Sequence, residues 1–75
     1  MRYGFYDTGG NCIDYVDDMT EDEAVWNAEM TATGRGGVIR VYEENPDLSR
    51  DDALVAVITS VGGGHLLTQR RPFIQ

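Results

Sequence analysis

Apolar and polar residues alternate from Arg2 to Val16, with Tyr3 and Phe5 on one face of a first short strand and Ile13 and Tyr15 on one face of a second. Between them lies Asp7-Thr8-Gly9-Gly10-Asn11, in which Asp and Asn side chains can bond their own backbone and glycine tolerates positive φ. The pattern predicts a β-hairpin. After Asp17-Asp18 the period changes. Thr20-Glu21-Asp22-Glu23 fits a capping box, and Ala24, Val25, Ala28 and Ala32 then recur at helical spacing, with Trp26 and Met30 beside them. This helix is expected to stop at Gly34, a left-handed cap position, followed by the connector Arg35-Gly36-Gly37.

Val38-Ile39-Arg40-Val41-Tyr42 is rich in β-branched residues and reads as a third strand, ending before the polar, proline-containing Glu43-Glu44-Asn45-Pro46-Asp47. Ser49-Arg50-Asp51-Asp52 then resembles a second helix cap. Leu54, Val57, Ile58 and Val61 follow at helical spacing, joined by Ala53 and widened by Val55 and Ala56, so a second and more deeply buried helix is predicted up to Gly62-Gly63-Gly64. His65 to Thr68 reads as a last strand. Residues 69–75, with Arg70-Arg71-Pro72, read as a tail whose Phe73 and Ile74 dock back on the domain. The predicted order is β-β-α-β-α-β in one domain over residues 1–75, a small two-layer α/β (α+β) sandwich with a mixed sheet and an N-terminal hairpin. Cap, acidic first turn, apolar segment, glycine and strand occur twice, but the side chains beyond the caps differ, so this is shared βα grammar and not an internal repeat.

A chain of 75 residues is near the lower limit for a core without disulfides or metal, which makes efficient burial or a homodimer an expectation. Its one cysteine, Cys12, excludes an internal disulfide and suits a reducing compartment. The longest apolar run, Ala53 to Ile58, is far too short to cross a membrane, and the N-terminus lacks the layout of a signal peptide. A soluble, cytoplasmic protein is expected.

Charge is the most unusual feature of the composition. Thirteen acidic residues oppose six basic ones, for a net charge of −7, and all six cations are arginine. Eight carboxylates and no cation lie from Asp7 to Glu29. Such a surface repels phosphate backbones, which argues against direct binding of nucleic acid and for a basic protein partner.

The candidate chemistry is thin. Asp7-Thr8-Gly9 resembles the tripeptide of pepsin-like and retroviral aspartic proteases, in which two such triplets meet and share one proton. The resemblance covers three residues. Gly10-Asn11 follows where that fold continues a strand, and the family's later bracing element has no counterpart, so a turn is expected. Counting an EF-hand loop from Asp7 puts Cys12 at the glycine position and Asp18 at the glutamate position, which fails. Cys12 and His65 supply at most two zinc ligands. The glycine runs at 34–37 and 62–64 follow predicted helices instead of leading into them, unlike a phosphate cradle. No cofactor and no metal are expected.

Six carboxylates fall between Asp14 and Glu23, and a second group is Glu43, Glu44, Asp47, Asp51 and Asp52. Acids in a first helical turn favour the helix dipole without any partner, but the others lack that explanation. Spaced carboxylates on a rigid domain can imitate a phosphate backbone and occupy the basic groove of a nucleic-acid-binding complex. Asp14, Asp17, Asp18, Glu21, Asp22, Glu43 and Glu44 are therefore the expected partner-binding residues of a non-enzymatic protein-binding module. In size, acidity and lack of catalytic groups the chain resembles small phage or mobile-element proteins that block host defence, including anti-CRISPR proteins and DNA mimics. That resemblance implies an inhibitor acting in the host cytoplasm. A rival expectation is an assembly subunit, self-associating through Trp26, Tyr42 or the tail. An enzyme would need a pocket gathering Asp7, His65 and Tyr6 or Tyr15.

Overall fold

The computed structural model describes residues 1–73. Strands β1 (Tyr3–Tyr6) and β2 (Cys12–Val16) precede helix α1 (Glu21–Arg35), and strands β3 (Val38–Glu43), β4 (Leu54–Gly62) and β5 (His65–Arg70) follow it. The sheet order is β2-β1-β3-β4-β5, and every neighbouring pair is antiparallel. The protein is a small α+β domain with one helix over a five-stranded sheet.

The expected N-terminal hairpin is present. Asp7 Oδ1 accepts from the amides of Gly9 and Asn11, each at 2.9 Å, and Gly10 takes φ 81°. The Asp-Thr-Gly triplet thus spends its carboxylate on its own turn. The capping box also forms: Thr20 Oγ1 accepts from the Glu23 amide at 3.2 Å, and Glu23 Oε1 accepts from the Thr20 amide at 3.0 Å. Gly34 does not end the helix, which continues to Arg35 and closes on Gly36 at φ 79°.

The predicted second helix is a strand. Ser49 does act as a cap, accepting from the Asp52 amide, and Ala53 N–H reaches Ser49 C=O at 2.9 Å, but the coil lasts a single turn. Val55, Val57, Ile58 and Thr59 then supply a β-branched run suited to a strand between two neighbours, where both faces are partly covered and simple alternation fades. A bulge between Val41 and Tyr42 on the β3–β4 ladder lets consecutive Val55 and Ala56 both enter the core, imitating a helical arc in the sequence. The glycines read as a helix stop form the β4–β5 turn, with Gly62, Gly63 and Gly64 all at positive φ. With the second helix gone, β3, β4 and β5 join through a loop and a hairpin, so the sheet is antiparallel and not mixed. Gln69 and Arg70 belong to β5, not to a tail. Phe73 is exposed, and Ile74 and Gln75 lie outside the described residues.

The core sits between α1 and one face of the sheet. Ala24, Ala28 and Ala32, one turn apart and fully buried, bring the helix close to Tyr3, Phe5, Ile39, Val41, Val55 and Ile58. The helix contacts β1, β3, β4 and β5. Trp26 and Met30, expected beside the buried stripe, point outward. Among the described residues no helix is long and apolar enough to cross a membrane.

Strand and helix readings of residues 54–62 predict opposite costs for two truncations. Ile58 is fully buried and Val61 is 62% exposed. Ile58→Ala is expected to cost about 2–4 kcal/mol in urea unfolding, and Val61→Ala less than about 0.5 kcal/mol. Comparable losses at both positions would restore the helical stripe.

Candidate functional site: an acidic end of the sheet

Strand register decides which charges meet. Tyr3 pairs with Val16 and with Glu43, Tyr42 with Leu54, and Ala56 with Arg70. Arg2, Asp17, Glu43, Glu44, Ala53 and Arg71 therefore emerge at one end of the sheet, and the loop of residues 44–53 closes that end. Asp18 takes φ 57° in the turn between β2 and α1, a left-handed conformation that aspartate tolerates better than most residues. Helix α1 begins at the same end. This end collects Asp17, Asp18, Glu21, Asp22, Glu23, Glu43, Glu44, Asp47, Asp51 and Asp52, ten carboxylates against the four arginines Arg2, Arg50, Arg70 and Arg71.

Glu21 is the centre of this charge cluster. Its Oε1 lies 2.6 Å from Arg71 Nη2 and its Oε2 lies 3.1 Å from Arg70 Nη2. Arg70 also reaches Asp22 at 2.7 Å, and Arg71 reaches Glu43 at 3.6 Å. The Arg71 amide donates to Val55 C=O at 2.9 Å. The start of α1 is thus tied to the ends of β3 and β5. A second cluster lies on the open face of the sheet. Arg50 stacks 3.7 Å from the Tyr42 ring centroid and 4.3 Å from that of Tyr6, and the two rings meet edge-on at 5.4 Å. Tyr6 donates to Glu44 Oε1 at 2.8 Å. Its ring lies back over Gly4, where a Cβ would collide with Tyr6 Cε1 and with the Glu44 carboxylate. Burial, with the Glu44 bond, pushes the Tyr6 hydroxyl above its ordinary value and keeps it a donor.

The expected partner-binding set divides in two. Asp17, Asp18, Glu21, Asp22, Glu43 and Glu44 share the acidic end, whereas Asp14 lies within edge strand β2, opposite Phe5. Asp17, Glu21, Asp22, Glu43 and Glu44 each have an arginine within 4 Å; among the described residues, Asp14 and Asp18 do not. Asp47, Asp51 and Asp52 on the 44–53 loop also lack an arginine partner among the described residues. Asp7 and His65 lie on opposite sides of the sheet, with β3 and β4 between their strands, and the Tyr6 hydroxyl is turned to Glu44. No group of three His, Cys, Asp or Glu side chains converges for a metal among the described residues.

Residues that sequence reading undervalued are Arg50, Tyr6 and Tyr42, whose stacking depends on a β3–β4 pairing hidden by the predicted helix, and Trp26. The position of Trp26 was readable: it falls two residues from both Ala24 and Ala28, on the far side of the helix from that stripe.

Two measurements test this construction. Glu21→Gln is expected to cost about 1 kcal/mol, since the carboxylate is only 28% exposed and holds two guanidinium groups, and to speed hydrogen exchange at the Arg71 amide. Unchanged exchange there would show that the clamp does not hold the end of β5. Arg2 donates to Asp17 at 2.8 Å and holds its carboxyl below the ordinary aspartate value. Such a group adds stability above its unfolded value, roughly 4, and loses it as pH falls through the folded one. The melting difference between wild type and Asp17→Asn is expected to be open at pH 7 and to narrow below about pH 4. A constant difference contradicts the pairing. No protein-family model, curated protein or solved structure matches this chain.

Proposed function

We propose that the protein is a non-enzymatic binding module that recognises a protein partner with a basic surface, of the kind that binds nucleic acid, through the acidic end of its sheet. The observation that carries this reading is the gathering of ten carboxylates against four arginines at one end of the sheet. The arginines there are all engaged with carboxylates of the chain itself. Glu21, Asp22, Glu43 and Glu44 form the frame, and Asp18, Asp47, Asp51 and Asp52 offer unneutralised charge to a partner's arginines and lysines. Like charges held close raise the energy of the free protein, and a basic partner relieves that repulsion as it docks. Direct contact with a phosphate backbone is disfavoured by the same field. A role in blocking a nucleic-acid-binding or defence complex follows the same chemistry: the acidic end competes for a groove built for phosphates.

Pull-down from the source lysate, with captured proteins identified by mass, tests the proposal against the variant Asp18→Asn/Asp47→Asn/Asp51→Asn/Asp52→Asn. Captured proteins are expected to be basic, to be released by about 0.5 M NaCl, and to be captured in smaller amounts by the variant. Neutral or acidic partners held equally by the variant in high salt overturn it. Sedimentation of the purified protein addresses self-association through the open sheet face, where Val38, Tyr42, Leu54 and Val57 are half-buried; a stable dimer unaffected by the four substitutions favours an assembly subunit instead.

A further inference from the structure

The face of α1 that turns away from the sheet carries two large apolar residues among its carboxylates. Asp22, Trp26 and Met30 follow one another at single-turn spacing, with Glu23 and Glu29 on either side. Trp26 is 60% exposed and Met30 57% exposed. A helix whose buried side is filled by Ala24, Val25, Ala28 and Ala32 has no packing need for either residue. A shallow cavity of about 320 Å³ lies over this face, lined by Asp22, Glu23, Trp26 and Asn27.

Among the described residues the Trp26 indole has no cation over it. Arg2 lies over Tyr15 and Arg50 over Tyr6 and Tyr42, but among the described residues no arginine stacks on Trp26, the ring type best suited to one. The arginine that reaches this region, Arg70, is engaged with Glu21 and Asp22. Asp22 is nonetheless 84% exposed, and Glu23 keeps one oxygen free of the capping box. Bonds to the Thr20 backbone and side chain hold the Glu23 carboxyl below its ordinary value, so it is ionised at neutral pH.

We infer that this outward face of α1 docks a basic amphipathic segment of the protein partner, with an arginine guanidinium lying on the Trp26 indole between Asp22 and Glu23 and an apolar side chain on Met30. The inference rests on the proposed basic partner and identifies where it is gripped. Charge complementarity selects the occupant: an apolar centre flanked by carboxylates favours a segment that carries both apolar and cationic side chains over a purely apolar one. A second copy of this chain would bring its own carboxylates against these and is disfavoured. The indole supplies a rigid, desolvated contact of the kind that dominates binding energy, and the carboxylates supply steering.

The probe is a synthetic amphipathic peptide with leucine on one face and arginine on the other, beside copies with lysine or glutamate in place of arginine. Binding to the whole protein is followed by calorimetry and by the emission of Trp26, the chain's one tryptophan. The arginine peptide is expected to bind most tightly, to shift Trp26 emission, and to lose about 10-fold or more in affinity in Trp26→Ala. Asp22→Asn/Glu23→Gln is expected to weaken it about 3- to 10-fold, and Asp47→Asn/Asp51→Asn less than about 2-fold. Trp26→Ala removes an exposed side chain and should leave the melting curve unchanged. Asp22→Asn/Glu23→Gln gives up the Arg70 contact and first-turn charge and should melt slightly lower, so binding is measured well below that transition. If Trp26→Ala binds normally while the loop variant fails, the basic-partner reading stands and the helix-face inference falls. If the wild type ignores every cationic peptide, both fall. A Trp26-dependent dimer in the absence of peptide assigns the face to a second copy and overturns the inference.

Discussion

A single helix has to cover one whole face of the sheet, and the close seat of α1 on that face is the contact on which the rest of the structure depends. Three alanines a turn apart remove the side-chain bulk that would hold the helix away, so the larger residues of β1, β3 and β4 fill the interface. A chain of 75 residues gains little from any other source: there is no disulfide, and the single cysteine is exposed. The arrangement also fixes polarity. Because the buried stripe is narrow, made of Val25 and three alanines, the largest apolar residues of the helix, Trp26 and Met30, are displaced outward.

The helix would slide or fray without a second constraint at its start. Glu21 supplies it by joining two guanidinium groups from the end of β5, one of which also reaches Glu43 on β3. A surface ion pair contributes little to stability on its own. This cluster differs because the partners are partly buried, come from three elements, and sit where the Arg71 amide already bonds Val55 C=O. Its effect is to register the helix against the strands and not merely to neutralise charge. The scarcity of cations gives this force: with six arginines for thirteen carboxylates, each pairing leaves other acids at the surface unbalanced.

The first half of the fold was legible because local signals and tertiary structure agree there. The alternation of Tyr3 and Phe5, the Asp7 turn and the Thr20–Glu23 box each act within a few residues, so they could be read without knowing what they pack against. The second half misled for a physical reason. A single helical turn at Ser49, a bulge that buries both Val55 and Ala56, and a run of glycines together imitate cap, arc and stop. Only the β-branched content of residues 55–59 spoke for a strand, and it was outweighed by a spacing produced by the bulge. The acidic residues were visible by composition, but their grouping was not, since it depends on which strand ends coincide. Asp14 was adjacent in sequence and is separate in space, whereas Asp47, Asp51 and Asp52 were distant in sequence and join the same end as Asp17.

The fixed seat of α1 links the fold to the recognition proposed above. Binding a partner costs conformational freedom in proportion to what must be ordered, and a side chain on a fixed helix costs less to immobilise than one on a loop. The clamp at Glu21 and the capping box at Thr20 both act on the first turn of α1, the turn that carries Asp22 and Glu23 and precedes Trp26. Two of the carboxylates that stabilise the helix thus also place its exposed indole at a defined height and angle. Among the described residues the side chains of Asp47, Asp51 and Asp52 make no hydrogen bond or ion pair, although their loop is held by Asn45 and Ser49. Their contribution in the proposed binding mode is long-range attraction, which speeds encounter without specifying geometry. In the binding mode proposed above, the acidic end divides its work physically: loop charges draw a basic surface in, and the anchored helix face selects how it sits.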